Sequence, residues 1–334
     1  MGCAPRSTRR QFLKTAPLAA AGLASSLASA CRGLAPAPAG PPPEAAWKAK
    51  ARSRLRLAVF ADVYAGLPVE EAAERVAADG FSSVLFFNLR FADVECDLAK
   101  PDWAVAERIR GAFERRGIRI GALGGYHNPL HPNPVLRELG AARMRTLIAN
   151  WKRLGSPTIA TETGTLNPES EWLDSPENAG EDAYARCRAA FAEMARAAEK
   201  TGATVAIEPY WRNVIDSVDR AERLFRDVPS PALRLVMDPC NYFRKEDLPR
   251  MKPMLEEIFR RLAPWVVVAH AKDVRESPDG TDLPAAGLGA LDYPLYLELL
   301  AGLDRDLDLA VEHLTLEDVP RALGFVRAAM GASA

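Results

Sequence analysis

Histidine is scarce in this chain, with four residues among 334. A site that gathers many imidazoles around several metal ions is therefore excluded. Cysteine is hardly commoner: Cys3 and Cys31 lie near the N-terminus, and Cys96, Cys187 and Cys240 are scattered through the rest. Three isolated thiols build neither a disulfide framework nor a Cys-x-x-Cys metal knuckle. Positive charge is not in excess, at 43 Lys and Arg against 44 Asp and Glu. Four of those bases, Arg6, Arg9, Arg10 and Lys14, fall in the acid-free segment 1–30, which leaves 39 against 44, a net of −5. A mildly acidic protein has no general attraction for phosphate backbones, so no nucleic acid partner is expected.

What is present divides the chain unevenly. The start reads 7-STRRQFLKTA-16, then the apolar 16-APLAAAGLASSLASA-30. A basic region, a short apolar stretch and small residues before a cut form an export signal rather than a membrane span. Paired arginines followed by Phe12, Leu13 and Lys14 resemble a twin-arginine signal, which implies the twin-arginine export machinery as a partner and an exported, periplasmic or extracytoplasmic protein. Cleavage after Ala30 makes Cys31 the first mature residue. Membrane attachment then depends on lipidation of Cys31, although Ala28 stands where such signals usually carry leucine. Residues 31–53, with 35-APAPAGPPPEAA-46, read as a Pro/Ala-rich linker, and the folded domain is expected over 54–331.

From Arg54 onward a unit repeats. Short β-rich runs occur at 55-LRLAVFA-61, 82-SSVLFFN-88, 118-IRIGALG-124, 157-PTIATET-163, 203-ATVAIEP-209, 233-LRLVMDP-239, 265-WVVVAHA-271 and 307-LDLAVEH-313. Helical stretches separate them, and several end in a glycine (Gly80, Gly117, Gly155, Gly202) placed for a left-handed cap. Eight strands alternating with eight helices predict a single-domain (β/α)8 TIM barrel. A doubly wound sheet would want a Gly-x-Gly-x-x-Gly turn after the first strand, where 62-DVYAGLP-68 stands instead.

In such barrels the chemistry gathers at the C-terminal ends of the strands. Strand five ends in Glu208, strand six in Asp238, strand seven in His270 and strand eight in Glu312. Each residue alone has a structural explanation, because barrel rims are polar. Four consecutive rims supplying oxygen or imidazole donors point to one site. Three carboxylates crowded without a cation repel and are costly to bury, so one divalent metal ion is expected there. The donor set suits Mn²⁺ first, then Mg²⁺, Co²⁺ or Zn²⁺, and excludes metals selected by soft thiolates.

On these residues the chain resembles the xylose isomerase-like barrels, which include sugar isomerases and epimerases of the D-tagatose 3-epimerase type. The segment 286-AGLGALDYPLYLELLAGL-303 resembles that family's Gly-x-Gly-x-x-Asp-Tyr stretch, and 121-GALGGYHNP-129 and 162-ETGTLNPES-170 resemble its third and fourth rims. The resemblance implies that Glu208, Asp238, His270 and Glu312 hold one metal and that Glu208 and Glu312 double as acid and base. It departs at 238-DPCN-241, where Asn241 replaces the substrate-binding histidine common in the epimerases. Asn241 can hold a hydroxyl but cannot titrate near neutrality. The multi-zinc AP endonucleases of the same fold are excluded by the four histidines and the acidic charge.

A metal-polarised α-hydroxyketone has an acidified C–H, and the metal stabilises the resulting enediolate. Reprotonation by the second glutamate gives an epimer or an aldose–ketose isomer. A β leaving group turns the same site into a lyase or dehydratase, the alternative enzymatic reading for a keto-sugar or oxidised glycoside; a non-catalytic carbohydrate-binding exported protein is the other. Around the ligands, Trp211 can stack on a sugar or merely cover the mouth, and Arg212 can hold hydroxyls. His127 and Glu162, at the third and fourth rims, are candidate substrate contacts. Lys272 lies on the His270 side of its strand and serves either proton transfer or a rim ion pair. His131 and His313 read as loop and outward-facing residues. No Arg/Lys cluster marks a phosphate site, so a non-phosphorylated small-molecule sugar is expected. Whether copies pair into a homo-oligomer stays open.

Overall fold

The structure is a computed structural model and describes residues 43–278 and 280–332. The export signal, Cys31 and the first part of the linker lie outside the described residues.

Eight parallel strands close into a barrel: β1 (Leu55–Phe60), β2 (Ser83–Phe86), β5 (Arg119–Gly124), β6 (Thr158–Glu162), β7 (Thr204–Glu208), β8 (Leu233–Met237), β9 (Val266–Ala271) and β12 (Leu307–Val311). β1 pairs with β2 on one side and β12 on the other, which completes the circle. Two antiparallel hairpins were not expected: β3 (Leu89–Phe91) with β4 (Val94–Cys96), and β10 (Arg275–Ser277) with β11 (Gly280–Asp282). The helices are α1 (Pro43–Arg54), α2 (Val69–Asp79), α3 (Trp103–Glu114), α4 (Pro134–Leu154), α5 (Glu181–Thr201), α6 (Val218–Asp227), α7 (Met251–Leu262), α8 (Tyr293–Gly302) and α9 (Val319–Ala329). Among the described residues none is long and apolar enough to cross a membrane.

The four glycines placed after helices by sequence, Gly80, Gly117, Gly155 and Gly202, all adopt positive φ. They end their helices in the left-handed conformation, which costs a residue without Cβ little.

The linker reading fails for residues 43–53. Instead of a tether, α1 packs on the barrel: Ala51 is fully buried and Trp47 sits against the core. Arg52 Nη1 donates to the carbonyls of Met330 and Gly331, at 2.8 and 3.1 Å, which ties α1 to the end of α9. The three prolines end at Pro43, and the Ala, Lys, Trp, Ser and Arg residues that follow include strong helix formers.

The barrel interior is narrow and filled mostly by small side chains: Ala58, Leu85, Ala122, Ala160, Ala206, Val236, Val268 and Ala310. Side chains alternate across a strand, so residues two further along face the same way. That parity carries Ala160 to Glu162, Ala206 to Glu208, Val236 to Asp238, Val268 to His270 and then Lys272, and Ala310 to Glu312. One inward-facing layer thus fixes which residues reach the mouth. The outward faces of the strands pack under the helices in a second, larger core.

Candidate active site

Glu208, Asp238, His270 and Glu312 converge as four buried side chains whose ligand atoms all lie within 4.8 Å of one another. His270 Nδ1 faces the centre, 3.4 Å from Glu208 Oε1, 3.6 Å from Asp238 Oδ2 and 3.4 Å from Glu312 Oε2. The imidazole is 1% exposed, and neither ring nitrogen has a hydrogen-bond partner. An orphaned buried imidazole aimed at three carboxylates fits a single hard-to-borderline divalent ion, for which three oxygens and one nitrogen are suitable donors. Phe60 packs edge-on against the ring at 5.5 Å.

Two of the four, Glu208 and Glu312, line a pocket of about 850 Å³, within the range of small-molecule sites, while Asp238 and His270 lie buried beside them. Glu208, Glu312, Asn241 and Lys272 line it beside Phe60, Phe87, Tyr126, Trp172 and Tyr210. Asp62 and Asn88 also contribute to the lining and hydrogen-bond each other through the Asn88 amide at 2.9 Å.

Lys272 changes the electrostatic account. Its Nζ stands 2.6 Å from Asp238 Oδ2, 2.8 Å from Glu312 Oε1 and 3.8 Å from Glu208 Oε1, and the residue is 3% exposed. The premise that the carboxylates lack a cation of the protein's own is therefore overturned. Burial pushes Glu208 and Asp238 up, but the facing His270 and Lys272 outweigh it and hold both carboxyls below their ordinary values. Burial likewise opposes charge on His270 and Lys272, and the surrounding carboxylates win, raising both well above the ordinary values.

Asn241 donates its amide to Glu208 Oε1 at 2.8 Å, and Tyr126 donates its hydroxyl to Glu208 Oε2 at 2.5 Å. Both oxygens of this glutamate are thus held, which aims the carboxylate. Burial, reinforced by Glu208, raises the Tyr126 hydroxyl well above its ordinary value.

The Gly-x-Gly-x-x-Asp-Tyr stretch acts from behind. Buried Asp273 accepts from the backbone N–H groups of Val274, Gly287 and Leu291 at 2.8–3.0 Å, pinning the loop to the end of β9. Gly287 has positive φ, and a Cβ on Gly289 would meet Asp273 Oδ1 and the Val274 carbonyl at 2.5 Å each. Tyr293 then donates to the Lys272 carbonyl (2.9 Å) and Tyr296 to that of His270 (2.8 Å).

Other candidates lie elsewhere. His127 does not line the pocket: its Nδ1 pairs with the Gly125 carbonyl at 2.8 Å, and its ring lies against Gly140 of α4. Parity explains this, since Ala122, Gly124 and Tyr126 share the inward side and His127 does not. Tyr126, missed by sequence reasoning, was legible by the same count. Trp211 and Arg212 do not line it either; Arg212 lies over the indole at 4.5 Å and Arg244 at 5.3 Å. Glu162 is 1% exposed and does not line the pocket, and neither of its oxygens has a hydrogen-bond partner. His313, expected to face outward, lines the pocket, because a positive φ at that residue turns the chain after β12.

The family description "xylose isomerase-like TIM barrel" matches residues 72–329. The chain belongs to this family. A comparison with curated proteins finds none that matches. Solved structures of similar fold include a xylose isomerase-like TIM barrel protein from Mycobacterium smegmatis in complex with magnesium, at 16% identity and TM-score 0.62, covering 84% of this chain and 97% of that one. An L-ribulose 3-epimerase is similar at 17% identity and TM-score 0.60, over 83% and 93% of the two chains. A protein named IOLI with a bound zinc atom is similar at 13% identity and TM-score 0.62, over 83% and 98%. Among these relatives of the fold are thus a sugar epimerase and two metal-bound proteins.

Proposed function

We propose that this chain is a divalent-metal-dependent sugar isomerase or epimerase, acting on a non-phosphorylated sugar or keto-sugar through an enediolate. The observation that carries the reading is the convergence of Glu208, Asp238, His270 and Glu312, two of which, Glu208 and Glu312, line the pocket. A bound divalent ion, Mn²⁺ in the first instance, supplies Lewis-acid polarisation of the carbonyl and neighbouring hydroxyl.

The protein's own groups do the rest. Glu208, kept ionised by His270 and Lys272 and aimed by Tyr126 and Asn241, takes the proton beside the carbonyl in this reading. Glu312, on the pocket wall beside Lys272, returns a proton. The aromatic side chains of the wall fit the apolar faces of a sugar ring and reduce water access to the intermediate. Lys272, the ammonium on the wall among the described residues, already faces Asp238 and Glu312, which favours a substrate without phosphate. An exported working place, set by the twin-arginine-like start, agrees with such a substrate.

The test is metal content of the purified mature protein beside His270→Ala, followed by a keto-sugar screen with Mn²⁺ and product analysis. With Mn²⁺ supplied, we expect close to one divalent ion per chain, lost in His270→Ala, and a single isomeric product. Two products or lost water would replace the isomerase with a lyase. No metal after incubation with Mn²⁺ would remove the enzymatic reading.

A further inference from the structure

We propose that Lys272 is a tethered counter-ion that competes with the metal for the same carboxylates, so that the site binds its ion weakly and the barrel folds without it. The inference rests on the metal reading above and goes beyond it. Lys272 Nζ approaches Asp238 Oδ2 and Glu208 Oε1, which are the oxygens that His270 Nδ1 also faces, and reaches Glu312 from its other oxygen. An ion drawn to the centre of the four ligands therefore meets carboxylates already engaged by an ammonium.

The placement is built rather than incidental. Lys272 follows His270 by two residues and so shares its inward side. Its main chain is fixed by the Tyr293 hydroxyl at 2.9 Å, by Cys240 Sγ at 3.5 Å and by a bridge to Ala285. The side chain is almost wholly buried, yet it lines the pocket. The pocket is thus the direction in which the ammonium can yield when an ion enters. Three buried carboxylates without a cation are strongly unfavourable, so the lysine shares with the facing His270 the task of carrying the metal-free fold.

The experiment measures Mn²⁺ alone, by titration calorimetry at fixed pH and salt, on the parent, Lys272→Met, Lys272→Gln and the charge-retaining Lys272→Arg. Melting temperatures in chelator are recorded beside it. Removing one positive charge next to an ion site changes such an equilibrium by roughly tenfold or more. We expect Met and Gln to bind Mn²⁺ about tenfold tighter or better than the parent, Arg not to, and both neutral variants to melt lower in chelator but recover more on adding Mn²⁺. Should the neutral variants not fold, amine-selective labelling of the parent decides: Mn²⁺ is expected to increase modification of Lys272, and unchanged labelling overturns the proposal. Mn²⁺ bound by the parent and no tighter by Met and Gln overturns this inference and leaves the proposed function standing. No Mn²⁺ in any variant overturns both.

Discussion

Glu162→Gln is expected to make the protein more stable, and increasingly so as pH rises. Glu162 ends β6, opposite Glu208 in the register of the barrel. Burial raises its carboxyl from 4.5 to about 8, with added repulsion from Glu171 and Glu208. The folded chain therefore keeps a proton that the unfolded chain has lost, throughout the window from 4.5 to about 8. Stability falls with rising pH wherever the folded state binds more protons. At about 1.4 kcal/mol per unit, the carboxyl costs the fold roughly 1 kcal/mol at pH 5 and about 4 kcal/mol at pH 8. Glutamine has the same shape and does not titrate. The assay is urea unfolding of parent and variant at pH 5, 6, 7 and 8. Subtracting one series from the other removes every other titrating group. The variant's advantage should widen by about 3 kcal/mol across the series. A flat difference, or one that narrows with pH, would refute the burial argument for Glu162.

Two further outcomes follow from other contacts. Tyr126→Phe removes a donor that favours the ionised form of Glu208, so the Glu208 carboxyl should rise and the acid limb of the kcat/KM profile should move to higher pH by about one unit. An unmoved limb would separate Tyr126 from the chemistry. A chain beginning at Leu55 loses the burial of Trp47 and Ala51 and the Arg52 bonds to the end of α9, and should unfold at lower urea, by on the order of 2–4 kcal/mol, with Mn²⁺ affinity unchanged. An unchanged midpoint would return α1 to the status of a tether.

The strand–helix alternation and the four ligand positions could be read from sequence because both are local in origin. Apolar runs of strand length, glycines after helices and the parity of inward residues depend on neighbours two to four positions away. That parity alone carries Ala206 to Glu208 and Val268 to His270, and the same count would have chosen Tyr126 over His127. Composition misled where it stood in for packing. The residues after Pro43 share an Ala-rich segment with the prolines, yet they form α1 because α8, α9 and the barrel offer a surface to bury Ala51 and Trp47.

Tertiary structure alone decided which charges meet. Trp211 and Arg212 sit at a strand end like the ligands, but the loop that carries them turns away from the pocket and binds Arg244. His313 is brought in by one positive φ that no spacing rule foretells. Above all, sequence placed three carboxylates and a lysine at neighbouring rims without saying how far apart their ends would be. At 2.6 and 2.8 Å, Lys272 is a counter-ion to Asp238 and Glu312, and only the closing of β8, β9 and β12 side by side set those distances. Electrostatic energy falls with separation and rises with burial, and both are properties of the folded barrel rather than of any stretch of its chain.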